Sequence, residues 1–528
     1  MILSNWGIPT TILHKYNRNK VTSLFPWQVD CLTVNNCVCL TGKKHLIYSA
    51  PTSGGKTLVS EILMLRTLAK YMASHNDIIK DNNSITNTTV TGTTTTNTNR
   101  HTIFFIVPFV ALAEEKALYF QDIWADMNIG VKAFHGDGGD ITGNQLAEDV
   151  QIAVCTIERA NILLTQLLDE KREDQLKMVV IDEIHMLADP QRGFLLEVIL
   201  TKIKYLLNNT VQIVGMSATL PNIMDLAHWL GAELYTTDYR PVDLDVKVCL
   251  NRCLYSVSRV PQVPVVLAEL PQQSDTPTTR MLTDDPDGMK RLCLDTIISN
   301  KSAMLFCNSK RRCEVCAIAV SEAVTRHLHE VVSNYHTDVT IKTARMALIE
   351  SLSQTQVGLC PILRQSLPYG IAYHHAGLTL DERKLVEDGF RKGYIQVLCT
   401  TSTLSAGVNM PAHRVIIRSP RMGDKFLNVA GFRQMCGRAG RMGFDTKGEA
   451  ILMIASGSRI EKGVADHLLT ADLDPLRSSL HIAAGGGLEK LLLEMVSCGR
   501  LRNESAVMAF VDCTLMRVQQ DYSNVSES

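Results

Sequence analysis

Short apolar runs alternate with helix-patterned stretches twice along this chain, and no other feature restricts its fold as hard. In the first half the runs are 45–49, 102–107, 152–157, 178–181 and 211–216, with helical patterns such as 58–71 and 112–120 between them. In the second half they are 302–307, 370–373, 396–400 and 414–418. A short run without polar alternation reads as a strand buried on both faces. Strands of that kind separated by helices form a parallel sheet covered by the helices. The expected fold is therefore α/β, with two parallel-sheet lobes in tandem.

The stretches between the lobes set the expected boundaries. Residues 1–242 make the first lobe and 288–458 the second, joined by a linker at 243–287 that is rich in Pro, Gln, Thr and Asp. Residues 76–101 carry a Thr/Asn run that cannot bury apolar surface, which predicts a disordered insertion. Residues 321–368 read as a helical insertion in the second lobe, and 459–528 as a small helical domain with helices at 488–496 and 506–518.

Lys plus Arg number 53 and Asp plus Glu 54, so the net charge of −1 neither demands nor excludes nucleic acid, because a basic groove can be balanced elsewhere. The 15 cysteines lie mostly in apolar surroundings and read as buried thiols. Cys313 and Cys316 form a lone C-x-x-C without a second pair at zinc-ribbon spacing, which favours two neighbours on a helix. No secretory signal and no run of 18 apolar residues is present, so no membrane partner is expected.

Three clusters carry chemistry. Ala50-Pro51-Thr52-Ser53-Gly54-Gly55-Lys56-Thr57 follows an expected strand and opens an expected helix. Glycines let backbone N–H groups approach phosphates, Lys56 reaches the outer phosphates, and the Thr57 hydroxyl suits Mg²⁺. The strict phosphate-loop pattern is broken at its first position, Ala50, so a plain Gly-rich turn stays the alternative at this point. Asp182 and Glu183 end the apolar run at 178–181, where ligands of a parallel sheet bind. Asp182 would hold the metal and Glu183 would orient and deprotonate water; a solvated strand end is the bland alternative. Arg438 and Arg441 stand three apart, expected on one helical face, as arginines that reach the γ-phosphate or as solvated helix residues.

Taken in order, these blocks resemble the superfamily 2 helicases of the DExH type. Ser53 to Thr57 resembles motif I, Asp182-Glu183-Ile184-His185 motif II, Ser217-Ala218-Thr219 motif III, Thr401 to Pro411 with Gly407 motif V, and Gln434 to Arg441 motif VI. Phe25-Pro26-Trp27-Gln28 resembles the adenine-reading Q motif. Stretches such as His374-His375-Ala376-Gly377-Leu378-Thr379 resemble the polymerase-theta type of helicase domain and the related stand-alone repair helicases. The family pattern usually has Ala where this chain has Gly54.

The resemblance implies two RecA-like lobes, a winged-helix-like domain and an ATP- and Mg²⁺-dependent activity. It implies Gln28, Ser53, Gly54, Gly55, Lys56, Thr57, Asp182 and Gly407 at ATP, and Thr57 with Asp182 at Mg²⁺. Lys56, Glu183, Gln434, Arg438 and Arg441 would carry catalysis. Phe109, Thr156, Arg159, His374, His375 and Thr403 would lie along single-stranded nucleic acid. A strand-separating hairpin is expected with arms at 415–419 and 426–429. The implied function is a 3′–5′ DNA helicase acting on single-stranded or partly duplex DNA in nuclear repair. An RNA helicase of the exosome-associated type and a strand-annealing module stay as alternatives. A large ratchet domain and a polymerase do not fall within the 528 residues, so a fragment or short form is expected.

Overall fold

The computed structural model describes residues 2–52, 54–82, 101–136, 146–147, 149–189, 192–207, 210–218, 220–257, 267–269, 285–335, 339–402, 404, 410–482 and 487–526. The chain divides into two compact units, Met1–Tyr239 with Asp474–Ser528, and Arg240–Leu473.

The first unit is built on seven parallel strands: β1 (His45–Ser49), β2 (Thr102–Val107), β3 (Val131–Phe134), β4 (Ile152–Thr156), β5 (Leu176–Ile181), β6 (Gln212–Ser217) and β7 (Ala232–Thr236). Their order across the sheet is β3-β4-β2-β5-β6-β1-β7. Every residue of β1, β2, β4 and β6 is buried, which is why these runs lack polar alternation. Successive residues feed opposite cores. Leu46 and Tyr48 pack in one, Ile47 in the other, and Phe105 and Phe104 divide in the same way. The edge strands β3 and β7 are only partly buried, and sequence reading had no apolar run to find there.

The second unit has an eight-stranded sheet ordered β10-β9-β8-β17-β14-β11-β13-β12. Its strands are β8 (Asp243–Leu250), β9 (Cys253–Val257), β10 (Leu267–Glu269), β11 (Ala303–Phe306), β12 (Ile371–His374), β13 (Val397–Thr400), β14 (Arg414–Ile417) and β17 (Lys447–Ile454). The expected linker at 243–287 is thus corrected. Three strands arise in it, and β8 pairs in parallel with β17 along its whole length. Charge misled the reading: Lys247 of β8 bonds Glu449 of β17 at 2.6 Å, and Arg414 of β14 lies 2.6 Å from the same carboxylate. The region 321–368 is largely helical where described, with Lys310–Tyr335, Val339–Ser353 and Pro361–Ser366 and a non-helical stretch at 354–360. Cys313 and Cys316 are buried on the first of these helices, in the same core as Cys307.

The hairpin is shorter than expected. The apolar stretch Val415 to Ile417 stays in the sheet, and the arms are β15 (Arg421–Met422) and β16 (Lys425–Phe426) around Gly423 and Asp424. The Arg421 guanidinium lies 4.1 Å from the centre of the Phe426 ring.

The boundary at 458 also moves. The helix Arg459–Thr470 belongs to the second unit, and residues from Asp474 return to the first. Helices Ser479–Ile482, Gly487–Ser497, Glu504–Asp512 and Leu515–Ser526 follow. The single helix expected at 506–518 is two, because buried Thr514 turns the chain and accepts from Arg517 N at 3.2 Å. Glu197 binds the start of this segment, accepting from Ser478 Oγ at 2.7 Å and Ser479 N at 2.8 Å. Buried Lys202 pairs with Glu494 at 2.6 Å, and Trp229 Nε1 donates to Cys513 O at 2.7 Å. Of the insertion expected at 76–101, residues 83–100 lie outside the described residues. Among the described residues no helix is long and apolar enough to cross a membrane.

Candidate nucleotide and nucleic-acid sites

The loop after β1 turns directly into the helix Lys56–Asn82, whose first turn holds no acidic residue. Gly55 has φ +81°, and a Cβ there would sit 3.0 Å from Gln28 Nε2. A Cβ on Gly54 would sit 2.9 Å from the Pro51 carbonyl oxygen, so this backbone is shaped for glycine where the family pattern has Ala. Ser53 lies outside the described residues.

The helix Pro26–Cys37 braces this loop from outside. Gln28 is 1% exposed; its Oε1 accepts from Phe25 N and its Nε2 donates to Gly55 O, both at 2.8 Å. Trp27 Nε1 donates to Gly54 O at 3.2 Å. One end of the Gln28 amide thus closes the cap of its own helix and the other holds the loop, a task the Q-motif resemblance did not reveal.

Lys56 Nζ donates to Ala50 O at 3.0 Å, so the ammonium lies back across the loop on a neutral acceptor. Tyr48 OH donates to Lys56 O at 2.8 Å and fixes the helix start. Strand β6 lies between β1 and β5, and its end joins the same place. Ala50 N donates to Ser217 O at 3.2 Å, which gives the Ser217-Ala218 block its position; Thr219 lies outside the described residues.

Asp182 and Glu183 follow β5. Asp182 N donates to Ile106 O at 2.9 Å, and Glu183 then takes a left-handed conformation, φ +56°. A non-glycine residue in that region costs of order 1 kcal/mol and is held only by its surroundings. Glu183 Oε2 lies 3.3 Å from His185 Nδ1. Burial and then the Glu183 charge push the Asp182 carboxyl up, while Lys116 and Lys56 pull it down. Burial pushes the His185 imidazole down against the Glu183 charge. Lys116, on the helix Val110–Trp124, donates to Thr57 Oγ1 at 3.1 Å. Sequence reading missed Lys116, whose partner lies 59 residues away.

The residues expected along nucleic acid fare unevenly. Phe109 caps the helix after β2 under the Arg192 guanidinium, 5.0 Å from its ring centre, and Arg192 also donates to Pro108 O at 2.6 Å. Thr156 is 3% exposed at the start of the helix Ile157–Asp169. Arg159 Nε donates to Gly136 O at 2.7 Å, so it ties a loop instead of capping its own helix. His374 and His375 are each 4% exposed and face carboxylates, Glu387 at 2.8 Å and Glu314 at 3.2 Å. Gly377 N donates to His375 Nδ1 at 3.1 Å, which leaves the proton of the neutral ring on Nε2, toward Glu314. Both imidazoles are thus engaged by carboxylates and brace the strand end. Thr403 and Gly407 lie outside the described residues.

In the second unit Gln434 sits partly buried on the helix Val429–Cys436, which ends before the two arginines. Arg438 and Arg441 therefore do not share a helical face. The chain leaves the helix because Ala439 bridges Ala412, and Gly440 takes φ +92° beside Val242 and Gly448. Arg441 grips Asp445, with Nε to Oδ2 at 3.0 Å and backbone N to Oδ2 at 2.9 Å. Burial would raise the Asp445 carboxyl, but the Arg441 bonds and charge hold it below its usual range.

Comparison with known proteins agrees with this arrangement. Residues 33–226 match the DEAD/DEAH box helicase family, 328–443 the helicase conserved C-terminal domain and 448–528 a helix-turn-helix domain. The chain is 37% identical to mouse DNA polymerase theta over 98% of its own length, which is 19% of that protein. It is 34% identical to the human helicase POLQ-like over 98% of its length, spanning 43% of that protein. With the ATP-dependent DNA helicase Hel308 of Methanococcus vannielii it shares 30% identity over 98% of its length, 61% of that protein. In fold, in site and in these likenesses, the chain belongs to the superfamily 2 helicases, with the helicase regions of polymerase theta and the POLQ-like proteins among its relatives.

Proposed function

We propose that the chain is an ATP-driven DNA helicase that moves 3′ to 5′ along one strand and serves DNA repair in the nucleus. The observation that carries the reading is the convergence of Lys56, Thr57, Asp182 and Glu183 at the carboxyl ends of β1 and β5. DNA is favoured because relatives of this chain are named as a DNA polymerase and a DNA helicase.

The residues suit ATP. Backbone N–H groups at the start of the helix Lys56–Asn82 face the loop, and Lys56 leaves the weak acceptor Ala50 O for the outer phosphates. Thr57 and Asp182 would hold Mg²⁺, which when bound offsets charge on the phosphate oxygens. Glu183, turned by its left-handed backbone, takes the proton of the attacking water. Arg438 and Arg441, in the second unit, are the arginines that the helicase resemblance assigns to catalysis.

The test is steady-state ATP hydrolysis with and without single-stranded DNA or RNA, with Lys56→Ala as control, then unwinding of duplexes tailed at either end. Stimulation by DNA that is lost in the control, with unwinding only from a 3′ tail, is the expected result. Stronger stimulation by RNA would move the reading to an RNA helicase. Binding without turnover would move it to an annealing module.

A further inference from the structure

Lys116 stands among the groups assigned to nucleotide and metal, yet neither the motifs nor the proposed reaction uses it. Its Nζ donates to Thr57 Oγ1 at 3.1 Å, on the hydroxyl read above as a metal ligand. Its positive charge acts on Asp182 ahead of that of Lys56. It also acts on Glu61, one helical turn beyond Thr57 and 2% exposed, whose carboxylate accepts from Tyr16 OH at 2.8 Å. The ammonium therefore has one acceptor in this structure, the Thr57 hydroxyl, and on the same helix a second group within reach of its charge, the buried Glu61 carboxyl.

A hydroxyl oxygen that receives an ammonium cannot at the same time lie against a divalent cation, because the two positive charges would sit within a few ångströms of each other. We propose that Lys116 is a positioning residue for the metal: it holds the Thr57 hydroxyl, swings toward Glu61 when Mg²⁺ takes that hydroxyl, and thereby sets how much Mg²⁺ the site requires. This rests on the reading of Thr57 and Asp182 as metal ligands. Lys116 competes with the cation at Thr57, and Glu61 lowers the cost of its departure.

The experiment is binding of a fluorescent ADP analogue to the full chain, titrated with MgCl₂, in wild type, Lys116→Met, Lys116→Arg and Glu61→Gln. Lys116→Met should reach half-maximal binding at roughly five-fold lower Mg²⁺, because one repelling charge is gone. Lys116→Arg should return the midpoint toward wild type, and Glu61→Gln should raise it. An unchanged or raised midpoint in Lys116→Met, with wild-type circular dichroism, overturns the proposal while leaving nucleotide binding intact. Should Lys116→Met not fold, an unchanged midpoint in Glu61→Gln overturns it instead. A wild-type chain that binds no nucleotide at any Mg²⁺ concentration overturns the nucleotide reading and this proposal together.

Discussion

The cations of the two units are held in opposite ways. In the first unit Lys56 rests on a carbonyl and Lys116 on a hydroxyl, both neutral acceptors that release an ammonium at small cost. In the second unit Arg441 is clamped by the Asp445 carboxylate, itself 2% exposed and shared with His413 at 3.1 Å. A charge-assisted bond of that kind is about twice as strong as a neutral one. The two ammonium groups can turn to another anion at small cost, whereas the Arg441 guanidinium can do so only by giving up a carboxylate.

The sharpest break comes at Glu183. Glu183→Gln should keep nucleotide binding and lower ATP turnover by at least about 100-fold, as loss of a general base does. Turnover near wild type would remove the first unit from the chemistry. The next largest effect lies in the second unit, at Glu449, which joins Lys247 and Arg414. Glu449→Gln takes the carboxylate from Arg414 and leaves Lys247 only Asp245 at 3.5 Å, and should cost about 3 kcal/mol in denaturant unfolding. Burial would raise this carboxyl, but Arg414 and Lys247 hold it at about 2. Its contribution is therefore full above the ordinary value of 4.5 and fades as pH falls toward about 2, a loss the variant should not show.

Glu61 behaves in the opposite sense. Burial raises its carboxyl to about 7, so between 4.5 and about 7 the folded chain keeps a proton that the unfolded chain has released. Stability contributed here falls as pH rises through that window, by about 3 kcal/mol, and Glu61→Gln should flatten the slope in thermal unfolding at pH 5 and pH 8. The smallest effect belongs to Asp445→Asn, which should cost about 1 kcal/mol in unfolding and leave the KM for ATP equal or lower. A higher KM would mean that Asp445 holds Arg441 in readiness instead of holding it back.

The fold was legible wherever a strand is buried on both faces, because only then does the run lose all polar alternation. Strands β1, β2, β4, β5 and β6 were placed within two residues of their ends. Strand β8 was not, since Asp245 and Lys247 look like loop residues until Glu449 and Lys447 arrive from two hundred residues away. The candidate nucleotide site was legible in Lys56, Thr57, Asp182 and Glu183 because the proposed chemistry is confined to two short stretches. Lys116 and Arg192 were not, because each is defined by a partner distant in the chain, Thr57 at a helix start and Pro108 after a strand. The histidine pair shows the converse: the motif singled out His374 and His375, but Glu387 and Glu314, which decide their surroundings, cannot be read from the motif.

Glu197 and Lys202 give the order of synthesis a consequence. The chain leaves the first unit at Tyr239, builds the whole second unit, and only then returns at Asp474. Until the ribosome has released the 474–528 segment, a carboxylate and an ammonium that end up fully sheltered lack Ser478, Ser479 and Glu494. The nascent first sheet therefore waits with a charged, uncovered seam while a complete neighbouring unit is made. Premature termination anywhere in the second unit would strand that seam in the open, marking the product for chaperones and proteases before it could engage ATP.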